Sequence, residues 1–276
     1  MNTVDNTLAA RFFFRNCSVS IHLPGELKIS RTINPGLADI VLDRDFIPAG
    51  SPSEFIGRQS DFYCFLVGTS PSNTNLIKKL TAIGYMLCNK LPRGGSRHRG
   101  FLCVNADNEA CANGKTLFAR AIAQLCIPAF VPACGILDSF SLSAVTENTN
   151  LLILDDMPYC FDICKFYTLC TDTWHVQRKA RPQLVIPREK APYVLITSNA
   201  TGAMLRKDGS FRRRFAVLEF SSLFGPAFPI DKYLGRVMFH EWDSKQWHMF
   251  DNLMFFCILE YLRSYDRGED VFSSYI

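Results

Sequence analysis

Gly114-Lys115-Thr116 sets a lysine and a hydroxyl directly behind a glycine, the residue types that cradle a polyphosphate. In such a loop the backbone N–H groups and the start of the following helix hold the phosphates. The lysine reaches the β- and γ-phosphates, and the hydroxyl holds Mg²⁺. Asn113, Gly114, Lys115 and Thr116 are therefore the candidate ATP-binding residues, with Thr116 also a metal ligand. The pattern G-x-x-x-x-G-K-[ST] asks for a further glycine where this chain has Glu109. An acid there brings negative charge toward a polyphosphate and restricts the backbone. The loop is either a working one of unusual build or a site that has lost its nucleotide.

Two further stretches supply the partners such a loop needs. "LLILDD" delivers two carboxylates at the end of an apolar run: Asp155 to contact the Mg²⁺ shell and Asp156 to orient or deprotonate an attacking water. Adjacent acids point in opposite directions while a strand continues, so both can face one ligand only where it stops, and Pro158 fits a stop there. "YVLITSN" delivers an amide, Asn199, where a γ-phosphate or water needs a hydrogen bond. Arg212, Arg213 and Arg214, in "KDGSFRRRF", precede the strand-like "FAVLEF". Strand alternation would put Arg212 and Arg214 on one face and Arg213 on the other. Any of the three is a candidate arginine finger acting on a neighbouring subunit's nucleotide.

Singly, each motif has a plainer reading: a solvated lysine at a helix start, an acidic turn, a basic turn. Their agreement in order points to phosphoryl transfer with ATP and Mg²⁺. Between the acids and Asn199 lies a basic loop or hairpin. His175, Arg178, Lys179, Arg181, Arg188 and Lys190 meet only Glu189 as an opposing charge, which suits a nucleic-acid backbone. Trp174 beside them is either a stacking platform for a base or a core residue.

The elements that must position these residues follow from periodicity. "TNLIKKLTAIGYMLCNKL" sets Leu76, Leu80, Ile83, Met86 and Leu87 on one helical face, and "PRGGSRHRG" ends it in a glycine-rich basic loop. "GFLCVNA", "NLLILDD" and "PYVLITSNA" are continuous apolar runs separated by helical patterns such as "KTLFARAIAQL". That alternation predicts an α/β fold with a parallel sheet buried on both faces, whose ligand sits beyond the carboxyl ends of its strands. Residues 1–74 read as a mixed, strand-rich region of short elements, "RFFFRN" being a strand with basic ends. Residues 75–225 form the core, opened by a helix over 75–91. Residues 226–276 form a helical region dominated by one long amphipathic helix.

Bulk properties agree. With 48% hydrophobic and 20% charged residues the chain belongs with globular proteins rather than disordered ones, and its net charge of +4 suits an anionic partner. No apolar run approaches the roughly 18 residues of a membrane span, and the N-terminus has no apolar centre of the kind secretory signals need. Neither a membrane partner nor secretion is expected. The 11 cysteines are scattered through apolar context, as in reduced intracellular proteins, and Cys160, Cys164, Cys170 and His175 match no standard zinc spacing.

From "IGYMLCNK" through "NGKTLFARAI", "LLILDD", "TDTWHVQRKARPQLVIPREKAPYVLITSNA" and "GSFRRRFAVLEFS" to "LGRVMF" and "EWDSKQWHMFDNLMFFCILEYL", the chain resembles the superfamily 3 helicases. The likeness is to the primase–helicase proteins of phages and mobile elements in particular, and it covers residues 75 to 265. It implies an AAA+-like P-loop NTPase that forms rings, commonly hexamers, and translocates along single-stranded DNA at replication forks. Lys115 and Thr116 match the Walker A pair, Asp155 and Asp156 match Walker B, and Asn199 matches the polar sensor. Arg212–Arg214 match the finger region, and the segment around Arg178 and Lys179 matches the part that touches DNA. The resemblance places the protein in the cytoplasm of a bacterial host, in phage or plasmid replication. Residues 1–75 carry no acidic metal-binding triad for priming, so any priming activity would lie on another chain or on a longer parent of this one. A primase or other replication proteins are candidate partners. Two alternatives stand beside it. One is a catalytically degenerate DNA-binding or assembly protein of a replication complex. The other is a ring ATPase acting on something other than DNA, against which the basic stretch argues.

Overall fold

The computed structural model describes residues 7–32, 40–91, 99–107, 112–132, 140–159, 161–202, 208–269 and 272. Glu109, all but the last two residues of the glycine-rich basic loop, and Cys160 lie outside them. Two compact units form: Met1–Val67, Leu76–Leu91 and Ile230–Ile276 make the first, and Gly68–Asn75 with Pro92–Pro229 makes the second. Elements are numbered in chain order through both.

The first unit opens with β1 (Leu8–Phe14), β2 (Ser18–His22), β3 (Glu26–Ser30) and β4 (Val41–Leu42). They pair in the order β3-β2-β1-β4, with β1 antiparallel to β2 and parallel to β4. "RFFFRN" thus supplies the end of an inner strand, whose Phe12, Phe13 and Phe14 are all buried. Helices α1 (Asp61–Gly68) and α2 (Asn73–Leu87) follow. On α2 Ile83, Met86 and Leu87 are buried as the periodicity predicts. Leu76 and Leu80 are only half-buried, because the helix is turned to bring Lys79 fully inside.

The second unit contains the parallel sheet. Its strands are β5 (Gly100–Asn105), β6 (Pro128–Pro132), β7 (Leu151–Met157), β10 (Tyr193–Thr201) and β11 (Phe215–Phe220), in the order β11-β5-β10-β7-β6. Every pairing is parallel. β5 is buried along its whole length and β10 nearly so, as strands covered on both faces must be. β6 is one of the two edge strands; it begins and ends in proline, which a central strand would not tolerate. Helix α3 (Lys115–Ala123) leads from β5 to β6, while the chain leaving β10 runs through α5 (Gly209–Arg214) to β11 on the other side of β5. The connections leaving the neighbouring strands β5 and β10 therefore run in opposite directions, and open α/β sheets hold ligands at such a reversal. Between β7 and β10 lie a short helix α4 (Tyr167–Thr171) and a two-stranded hairpin, β8 (Trp174–Val176) with β9 (Leu184–Ile186).

The chain then returns to the first unit with α6 (Ile230–Leu234) and α7 (Ser244–Asp266). Asp243 starts α7 by accepting the Gln246 N–H at 2.8 Å. Phe250, Leu253, Met254, Cys257, Ile258 and Leu262 make its buried stripe. Phe255 sits among Phe12, Phe14 and Phe46, with ring centroids 5.1, 6.0 and 5.1 Å away. Gly84 of α2 lies so close to α7 that a Cβ there would stand 2.1 Å from the Cys257 carbonyl oxygen. Asp251, fully buried, receives Arg44 in a two-pronged ion pair, Nε to Oδ2 at 2.8 Å and Nη2 to Oδ1 at 2.6 Å. The same guanidinium lies 4.4 Å from the centre of the Trp247 ring.

Candidate functional site

β5 ends at Asn105 and α3 begins at Lys115. Gly114, the residue before the helix, has φ 91° and ψ 12°, a left-handed conformation that glycine adopts without penalty. Ala112 is left-handed too, at φ 56°. Gly114, as the N-cap residue, offers no side chain to cap this helix start. The Lys115 ammonium is buried between two amides: it donates to Asn105 Oδ1, and to Asn113 Oδ1 at 2.8 Å. Asn113 Nδ2 donates to Asn105 Oδ1 at 3.2 Å and to the Phe220 carbonyl at 3.3 Å, and Asn105 Nδ2 donates to the Asn199 carbonyl at 3.0 Å. The loop is thereby tied to the ends of β10 and β11 by side-chain amides.

Thr116 points the other way, to the acids. Its hydroxyl donates to Asp155 Oδ1 at 2.8 Å. β7 and β10 pair Ile153 with Leu195 and Leu154 with Ile196, and then Met157 with Ser198. Asp155 and Asp156 together therefore oppose Thr197, a β-bulge, and Asp156 takes φ 58°. The strand runs on to Met157 and the bulge, rather than a stop, breaks the alternation of the two acids. Asp155 is half-buried and Asp156 exposed. Asn199, also exposed, donates from Nδ2 to Asp156 Oδ1 at 3.2 Å. Lys115, Thr116, Asp155, Asp156 and Asn199 are thus brought together at the carboxyl ends of β5, β7 and β10.

The arginine run is helical and not part of a strand. Asp208 accepts the Phe211 N–H at 2.8 Å and so starts α5, which carries all three arginines. Arg212 and Arg213 are exposed and share the outer side. Arg214 is half-buried, with Nη1 donating to the Ser210 carbonyl at 3.0 Å and its guanidinium 4.9 Å from the Tyr167 ring centre. Arg99, itself buried, donates to the Arg212 carbonyl at 2.7 Å and braces the helix end.

The basic segment is the β8–β9 hairpin and its flanks. Trp174, Val176, Leu184 and Ile186 face the core, leaving His175 and Val185 on the outer face. Trp174 is 3% exposed and its Nε1 donates to the Leu169 carbonyl at 3.0 Å, so it is a core residue and cannot stack on a base. Lys179, Arg181 and Lys190 are exposed, while Arg188 is half-buried. Arg178 braces the hairpin loop instead, with Nε donating to the Pro182 carbonyl at 3.2 Å and Nη1 lying 3.6 Å from Glu147.

No protein-family profile and no curated protein matches the chain. Among solved structures it is similar to two of the NrS-1 C-terminal region in its A-form apo state. Their TM-scores are 0.46 and 0.48, with 12% and 11% identity over 92% and 91% of this chain. It is also similar to a ligand-bound JCV helicase, with a TM-score of 0.45 and 13% identity over 76% of this chain. The chain spans 65% of the length of each NrS-1 structure and 55% of that of the JCV helicase.

Three residues of the site escaped the motifs. Asn105 and Thr197 are polar residues at the carboxyl ends of apolar strands, "GFLCVN" and "YVLIT", and that break in hydropathy is the signal that marks them. Arg99 has no such signal.

Proposed function

We propose that the chain is an ATP hydrolase of the superfamily 3 helicase kind, moving on single-stranded DNA in phage or plasmid replication. The observation that carries the reading is the Thr116 hydroxyl on Asp155 Oδ1 at 2.8 Å, with Lys115 next to it at the start of α3. A Mg²⁺ ion takes hard oxygen donors, and this hydroxyl and carboxylate are such a pair. The N-terminus of α3, opened by Gly114 and preceded by left-handed Ala112, fits the phosphates of ATP.

Bound Mg²⁺ would supply Lewis-acid neutralisation of the phosphate oxygens. Lys115 exchanges its two amide partners for phosphate oxygens. Asp156, exposed and held by Asn199 through Oδ1, takes the proton of the attacking water on its other oxygen, and Asn199 helps to orient that water. Arg212 and Arg213 are the candidates for the finger that reaches a neighbouring subunit in a ring, hexameric by resemblance, a contribution of about 10³–10⁵ in turnover elsewhere. Lys179, Arg181, Lys190 and His175 form the exposed basic surface for the strand of DNA. A primase or another replication protein would complete the assembly.

The test is ATP hydrolysis by the assembled oligomer with and without single-stranded DNA, for wild type, Lys115→Ala and Asp156→Ala. DNA-stimulated turnover lost in both variants is the expected result. A wild type that binds DNA yet hydrolyses nothing would overturn the motor reading and leave a DNA-binding assembly protein.

A further inference from the structure

Thr197 occupies a position no motif assigns. It is 1% exposed, and it is the residue that β10 sets against the two-residue bulge of β7. Its hydroxyl makes two hydrogen bonds of fixed direction. The Asp156 backbone N–H can only donate, so at 2.8 Å Thr197 Oγ1 accepts it. A hydroxyl has one hydrogen, and that hydrogen goes to Asp155 Oδ1 at 2.7 Å. Asp155 Oδ1 thus receives two hydroxyls, from Thr197 and Thr116, while Oδ2 takes no hydrogen bond from the described residues.

The bond to the Asp156 N–H fixes the residue that departs most from strand geometry. At φ 58° Asp156 is in a region that costs a non-glycine residue about 1–2 kcal/mol, so the surrounding structure must hold it there. The consequence is visible in exposure: Asp155 stays half-buried beside Thr116, and Asp156 emerges beside Asn199. In a regular strand neighbouring side chains leave on opposite faces. Here the bulge carries both acids to one edge, and a single hydroxyl holds both.

We propose that Thr197 is a positioning residue that sorts the two carboxylates. It pins Asp155 Oδ1 so that Oδ2 is presented to a divalent cation, and it holds the Asp156 backbone so that its carboxylate is presented to water. The assignment rests on the nucleotide-hydrolase reading for the identity of cation and water. The geometry of the bulge stands without it.

Thr197→Val keeps the branched shape and removes the hydroxyl, while Thr197→Ser keeps the hydroxyl. Amide hydrogen exchange at Asp156 reads the geometry directly. Protection is expected to be lost in Thr197→Val and retained in Thr197→Ser, with both variants folded by circular dichroism. In turnover assays the Mg²⁺ concentration for half-maximal rate should rise about 10–100-fold in Thr197→Val, the range for losing an outer partner of a metal ligand, and return to near wild type in Thr197→Ser. The KM for ATP should change much less than the Mg²⁺ requirement. Unchanged Asp156 protection in Thr197→Val, or a serine variant as impaired as the valine, overturns the assignment. A wild type without ATPase activity overturns the hydrolase reading instead, and the exchange data then decide Thr197 alone.

Discussion

The Thr116 hydroxyl donates to Asp155 Oδ1 over 2.8 Å although 39 positions separate the two residues. α3 supplies one and β7 the other, and their meeting brings together the two remote motifs that the proposed function assigns to the cation. Thr116→Val, which keeps shape and loses the oxygen, should raise the Mg²⁺ requirement of ATP turnover about 10–100-fold. Titrating Mg²⁺ at saturating ATP measures it, with Thr116→Ser close to wild type.

Gly84→Ala sets two effects against each other. Alanine favours a helix over glycine by about 1 kcal/mol. Its Cβ, however, would stand 2.1 Å from the Cys257 carbonyl oxygen and 2.6 Å from the carbonyl carbon, which are backbone atoms that no rotamer change can move. Overpacking of about 1–3 kcal/mol or more should win. The urea midpoint is expected to fall with the slope unchanged.

Arg44 and Asp251 should behave as a unit. Truncating either one strands a charge whose partner is buried, at about 3–5 kcal/mol, because Asp251 has no exposed side-chain surface and Arg44 only 15%. Arg44→Met combined with Asp251→Leu should lose far less than the sum of the single changes. A double-mutant cycle by denaturant unfolding measures the coupling.

Lys179 and Arg178 are neighbours with different expected effects. Lys179→Gln should weaken single-stranded DNA binding and lower the salt slope by about one, leaving thermal stability unchanged. Arg178→Gln also removes the bond to the Pro182 carbonyl and should loosen the hairpin. Fluorescence anisotropy across a salt series, with melting curves, separates the two. Unchanged DNA affinity in both would revive a ring ATPase acting on another polymer.

Cys170 should resist alkylation in the native chain. Burial pushes its thiol to about 12, with the Gly100 backbone and the Arg214 and Arg188 guanidinium groups offsetting part of the effect. Near pH 8 it then carries about a thousandfold less thiolate than an ordinary cysteine. Timed iodoacetamide labelling with mass spectrometry checks this, and rapid native labelling of Cys170 would contradict it.

Much of the fold could be read from hydropathy. The runs "GFLCVN", "LLILDD" and "YVLITSN" announce strands β5, β7 and β10 because burial on both faces leaves no polar position until the strand ends. The ends of these runs also marked where the candidate site gathers, through Asp155, Asp156 and Asn199, although Asn105 and Thr197, the first polar residues of two of them, escaped the motifs. Hydropathy could not show Thr197 gripping both acids, because a bulge depends on pairing with another strand. Nor could it show α5, whose three arginines look the same before a helix or a strand until Asp208 is seen capping Phe211. Trp174 went to the core because β8 and β9 pair antiparallel, a relationship between segments that a local reading does not contain.

The first unit draws on three separated stretches of chain, and the second occupies most of the interval. Synthesis delivers about 5–20 residues per second from the N-terminus, so all of Gly68–Pro229 is made before α7. Until then Phe12, Phe14 and Phe46 lack Phe255, the ring that packs against all three. The strands of the parallel sheet are all made before α7, whereas the aromatic side of β1, with Phe14 packed on Phe46, waits for Phe255 until α7 follows. A nascent chain paused before residue 244 would present those rings without the one that packs against all three.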